Sequence, residues 1–157
     1  MKIRRPLFLA VVAAAAVSLA SIAASSAAAE TPFKGTVNAD ETVLPSPPTA
    51  SLIRDGTGTA TYLGKYTEHI TMQIFLPTLS STGTATFTAA NGDTLTATVL
   101  GQATPTTTPG VLSIVEVYTI TGGTGRFADA TGTFTLESTV NQATGVSSGT
   151  FSGEIDH

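Results

Sequence analysis

The sequence predicts an all-β domain, a closed antiparallel barrel or a sandwich of about eight short strands. Three observations carry that expectation. Threonine is frequent along the whole chain while lysine and glutamate are sparse, the composition of strands and not of helices. Glycine returns roughly every ten residues, the spacing of turns in an all-β domain. No apolar run after the first 29 residues keeps a helical period. Closure of the sheet would remove the edges that threonine-rich strands otherwise present to other chains.

The first segment reads as a targeting signal. Lys2, Arg4 and Arg5 form a basic start, Leu7 to Ala24 is apolar and alanine-rich, and Ser25-Ser26-Ala27-Ala28-Ala29 offers a small-residue cleavage site. Residues 1–29 are therefore expected to be removed from a secreted or periplasmic protein, in the style of a bacterial export signal. An uncleaved membrane anchor is the alternative, but small residues end the run and no basic cluster follows it. The absence of cysteine excludes disulfides, thiolate metal sites and a lipidated cysteine. Removing 29 of 157 residues leaves 128, enough for one domain. Four basic residues then face eleven acids, a net charge of −7. That balance argues against nucleic acid and anionic membrane surfaces as partners, and it keeps a sparsely charged exported protein in solution.

Phe33–Val37 predicts a short first strand. Ala39–Ala50 holds Pro45, Pro47 and Pro48 and reads as an extended arm, so the expected organisation is an arm over 30–50 and a barrel over 51–157. Further strands are expected at 51–54, 57–63, 65–76, 83–89, 93–100, 111–120, 130–140 and 146–155, with some merging or breaking. Asp55-Gly56 and Asn91-Gly92 read as turns. For the second, a three-residue loop Ala90-Asn91-Gly92 places Phe87 opposite Leu95 and Ala85 opposite Ala97. Thr84, Thr86 and Thr88 then face Thr98, Thr96 and Thr94. A two-residue loop would mix apolar and polar side chains on both faces, so the longer loop is preferred. The resulting threonine ladder faces solvent in the plain reading; an ice-binding array would need more than one hairpin.

In 65–76 the even positions Tyr66, Glu68, Ile70, Met72, Ile74 and Leu76 form the interior face, which places Glu68 among apolar neighbours. Desolvation of such a carboxyl raises its pKa and suits acid–base work. In 111–120 Leu112, Ile114, Glu116, Tyr118 and Ile120 share one face, and the opposite face is also largely apolar, as in a strand covered on both sides, for instance by another subunit. Glu68 and Glu116 are the two catalytic candidates, to be weighed against structural carboxylates. Tyr66, Glu68, Met72 and Tyr118 are the candidate pocket residues. His69 lies on the polar face and His157 ends the sequence, so no metal motif forms. Gly122, Gly123 and Gly125 with Phe127 form a bend and an aromatic plug. That run lacks the G-K-[ST] ending and following helix of a phosphate loop, and Asp93 lacks the companions of a calcium loop.

Three segments resemble the allene oxide cyclase and dirigent superfamily, in particular its small exported bacterial members. They are Gly58-Thr-Ala-Thr-Tyr-Leu-Gly-Lys-Tyr-Thr67, Phe87-Thr-Ala-Ala-Asn-Gly-Asp-Thr-Leu95 and Ile120-Thr-Gly-Gly-Thr-Gly-Arg-Phe-Ala-Asp-Ala-Thr-Gly132. The resemblance implies an eight-stranded antiparallel barrel of the calycin type, often trimeric, working without metal or organic cofactor. In those relatives an apolar cavity holds a reactive lipid epoxide or a phenoxy radical pair in one conformation. The matching pieces are turns and plugs and bring no catalytic side chain with them; Arg126 and Phe127 match the motif in a structural role. The expectation is therefore a barrel that binds a small apolar ligand or serves structurally. A cofactor-free isomerase or stereochemical guide is the alternative, and an adhesion or assembly module, trimeric through 111–120, is a third.

Overall fold

In the computed structural model, which describes residues 31–157, eight antiparallel strands pair in chain order and the last closes on the first. They are β1 (Thr31–Ser46), β2 (Thr49–Ala60), β3 (Gly64–Phe75), β4 (Ser80–Ala89), β5 (Thr94–Pro105), β6 (Val111–Gly123), β7 (Thr131–Asn141) and β8 (Val146–Asp156). Each neighbour in sequence is a neighbour in space, and the pairing of β1 with β8 closes the ring, so no strand is left as an edge strand. The proposed leader over 1–29 lies outside the described residues.

Alternation decides which side chains enter the lumen. The even residues of β3 point inward, and Tyr66, Glu68, Ile70 and Met72 are all buried. The β4–β5 hairpin has the expected register, with Phe87 opposite Leu95, Ala85 opposite Ala97 and a threonine ladder on the outer face. Its loop closes through an Ala89 N–H to Asp93 carbonyl bond of 2.9 Å, with Gly92 at φ +90°. In β6 the even face is the inner one, which leaves Val115 and Val117 half-exposed outside.

Two sequence expectations need correction. Residues 39–46 are not part of an arm: they continue β1, which pairs with β8 as far as Asp40 and with β2 as far as Ser46. Pro45 is tolerated because β1 has run past the end of β8 there and has an open edge, and Pro47-Pro48, joined by a cis peptide bond, is the hairpin turn. Nor is Asp55-Gly56 a turn, since both residues sit within β2, which joins the segment 51–54 to residues 57–60; Thr61–Leu63, expected in a strand, form the turn to β3. Gly56 is needed for space. A Cβ there would come within 2.7 Å of Ala39 Cβ and 3.0 Å of Glu68 Cγ. The same device recurs around the lumen, where Gly58 faces Tyr66, Gly101 faces Glu116, Gly153 faces Phe134 and Gly35 faces Phe151 on adjacent strands.

The interior is layered. Between β6 and β7 the chain makes a single 3₁₀ turn, Gly125–Phe127, which drives the fully buried Phe127 into that end of the barrel beside Ala130. Gly125 has φ +57° and would place a Cβ against the Asp93 carboxylate, so any other residue would be strained and would displace Asp93. Above the plug lies a ring cluster. Phe33, Tyr66, Phe87, Tyr118, Phe134 and Phe151 are linked by centroid distances of 4.5–6.5 Å, and Tyr118 stacks on Phe134 at 7°. Edge and offset contacts of this kind add to the burial that holds this half together.

Candidate functional site

Above the rings the lumen turns from aromatic to ionic. Arg54, on β2, is 1 % exposed and reaches across the barrel to β6, four strands away. Its Nη1 donates to Glu116 Oε1 at 3.2 Å and its Nη2 to Glu116 Oε2 at 2.8 Å, a bidentate pair. Nε donates to Glu68 Oε1 at 3.1 Å. Nη2 also donates to the Tyr118 hydroxyl, which in turn donates to Glu116 Oε2 at 2.7 Å. Glu41 is the direct cross-strand partner of Arg54, with Oε1 3.7 Å from Nη1. That oxygen is buried and has no hydrogen-bond partner.

One guanidinium thus meets three carboxyls out of water. Burial raises the Glu68 pKa to about 7, although the adjacent Arg54 pulls it down. Burial likewise raises Glu41, against the pull of Arg54. The Tyr118 phenol is raised far above its usual range by burial, with Glu116 and Glu68 adding to the effect. For Arg54 burial opposes the charge, but Tyr118, Glu116 and Glu68 outweigh it. The layer therefore holds its cation permanently and carries an ionisable proton on Glu68 near neutral pH.

Beyond this layer the lumen is empty. A cavity of about 350 Å³ opens at the end formed by the β3–β4, β5–β6 and β7–β8 loops. Its walls are apolar, with Leu52, Met72, Ile74, Leu112 and Ile114 among them, and the acids Glu41 and Glu116 are also part of its lining. Of the residues expected in a pocket, Met72 is in this wall, Glu68 and Tyr118 are in the ionic layer, and Tyr66 is in the ring cluster with its hydroxyl donating to the Thr36 carbonyl at 3.0 Å. Of the two acids singled out as catalytic candidates, Glu116 reaches the cavity and both bind Arg54. Gly122, Gly123, Gly125 and Phe127 lie at the opposite, plugged end. Arg126 sits 4.9 Å over the Phe127 ring on the outside.

Sequence reasoning missed Arg54 and Glu41. The supposed turn at Asp55-Gly56 and the supposed arm over 39–50 hid them. Run without interruption, β2 places Arg54 on the face of Ala50 and Leu52, a cation in an apolar row that requires buried partners.

Fold and site together define a small closed antiparallel barrel, sealed by aromatic residues at one end and open at the other over an ionic floor. No family model, curated protein or solved structure matches the chain.

Proposed function

We propose that this barrel binds a small, largely apolar ligand through the end opposite the Phe127 plug. The cavity carries the reading. At about 350 Å³, with apolar walls and a few polar groups at its base, it falls in the range of small-molecule sites. With the leader read over residues 1–29, binding would take place outside the cytoplasm. The test uses the neutral probe N-phenyl-1-naphthylamine with the purified protein. Its fluorescence should rise on mixing and stay low with Ala103→Trp, which fills the cavity from its wall, at unchanged far-UV circular dichroism. No rise with the unaltered protein would end the proposal.

A second reading is a cofactor-free isomerase or stereochemical guide, in keeping with the resemblance to allene oxide cyclases and dirigent barrels. The presence of Glu116 and Glu41 in the cavity lining favours it, because an acid beside an apolar chamber can move a proton while water is excluded. A fatty epoxide converted to one hand of a cyclic product would support it, and the product mixture found in buffer alone would refute it. Assembly into trimers would use the outer face of β6, where Val115 and Val117 are exposed beside Leu100.

A further inference from the structure

We infer that the ligand carries a cationic head on its apolar tail, an ammonium group that enters first and docks at Glu41 and Glu116. The inference rests on the binding reading above and names the chemistry of the occupant.

The argument starts from the donors of Arg54. A guanidinium has five N–H groups. Four are committed, to Glu68, to the two oxygens of Glu116 and to Tyr118. The fifth lies on Nη1, whose nearest remaining acceptor is Glu41 Oε1 at 3.7 Å. An anionic head arriving at the floor would find at most that one N–H, with the Glu41 carboxyl already 3.7 Å from its nitrogen. It would also meet the carboxyls of Glu41 and Glu116, which repel it wherever they are ionised. A fatty acid is the wrong ligand, despite the arginine in the lumen.

The acceptors tell the opposite story. Glu41 has a side chain only 4 % exposed, sits in the cavity lining, and keeps one oxygen without a partner. A buried acceptor left unsatisfied is costly, and more so when it belongs to a carboxylate. At pH 7.5, above the value of about 7 to which burial raises Glu68, the carboxyls of Glu41, Glu68 and Glu116 share one guanidinium, and each that is ionised beyond the first leaves the layer short of positive charge. An ammonium in the cavity brings three donors and one charge up to the Glu41 carboxyl in its lining. A hydroxyl brings one donor and no charge. The three carboxyls are gathered around Arg54, and among the described residues no group of three acids or histidines is placed to hold a metal ion; the apolar walls suit an organic cation. The apolar wall formed by Leu52, Met72, Ile74 and Ile114 would hold its tail.

The experiment compares three heads on one tail. Octylamine, octanol and octanoate each compete at pH 7.5 against N-phenyl-1-naphthylamine on the unaltered protein. Octylamine should displace the probe about ten-fold more tightly than octanol, and octanoate should be weakest, as expected when a charged hydrogen bond is gained or refused. Glu41→Gln, which keeps the size of the side chain, should erase most of the margin between octylamine and octanol. Octanol or octanoate matching octylamine on the unaltered protein would overturn the inference, as would a bound probe that octylamine fails to displace; the cavity reading would survive both. Failure of the probe itself to bind would instead remove the binding function, and this inference with it. The ranking on the unaltered protein decides the matter even if the variant does not fold.

Discussion

The two halves of the lumen solve the same packing problem differently. At the plugged end, Phe33, Phe87, Phe127, Phe134 and Phe151 fill the space with rings, and every one of them is nearly or wholly buried. At the open end the walls are just as apolar, but the space is left hollow and floored by Arg54 and three acids. Rings lower the free energy by burial alone, which no pH change disturbs. An ionic floor gains little from burial, because the desolvation of each charge offsets the attraction between them. A barrel needing only stability would have continued its rings upward. Tyr118 marks the boundary, with its ring stacked on Phe134 and its hydroxyl bonded to Arg54 and Glu116.

That contrast makes the ionic layer the most sensitive place in the molecule. Arg54→Leu should cost about 3–5 kcal/mol at pH 7.5, because the acids of three other strands would be left facing one another out of water. The loss should shrink at pH 5, where protonation relieves them. Urea unfolding at the two pH values reads this directly. An equal loss at both would mean that Arg54 acts by filling space, and the difference between the halves would vanish.

The second largest effect needs no substitution. Glu68 titrates near 7 in the folded chain, above the usual carboxyl value of 4.5, and Glu41 is also raised. The fold therefore favours their protonated forms. The Glu68 contribution is fully present below about pH 4.5 and is lost as pH rises through 7. Stability should fall on the order of 2 kcal/mol between pH 5 and 7.5, seen as a lower Tm. Glu68→Gln should flatten much of that slope. A Tm that is level or rising over this interval in the unaltered protein would contradict the assignment of protons to the floor.

How far the sequence foretold these halves follows from the local signals each contains. The β4–β5 hairpin was readable because Phe87 and Leu95 can share a face with only one loop length around Gly92. The inner face of β3 was readable from strict alternation. The ionic floor was only half readable. Glu68 and Glu116 stood out as acids in apolar rows, but their shared cation did not, because Gly56 imitates a turn. Its actual cause is non-local: the glycine makes room for Glu68 on the neighbouring strand. Prolines hid Glu41 in the same way, since nothing in the sequence says that β8 stops short of Pro45. The hollow itself left no signal, because empty space depends on which side chains fail to meet.

A smaller effect tests whether the plugged half serves only the fold. Phe127→Leu trims a fully buried ring far from the cavity. It should cost about 1–2 kcal/mol through lost contacts and a small void. Binding of N-phenyl-1-naphthylamine to the remaining folded protein should keep its affinity. An altered affinity at full folding would show that the halves are coupled, and the functional division between them would have to be redrawn.

The smallest expected effect on stability lies outside the lumen and sharpens the comparison from the other side. Leu100, Val115 and Val117 stand together on the outer face of β5 and β6, on a barrel whose other outward residues are mainly threonine, serine and charge. Val117→Lys replaces an outward side chain that is 45 % exposed, so unfolding should change by less than about 0.5 kcal/mol. Its consequence should appear in mass. If copies of the chain cover this face in solution, light scattering should give a multiple of the single-chain mass for the unaltered protein and the single-chain mass for the variant. A single-chain mass for both would confine the protein's apolar recognition to the lumen.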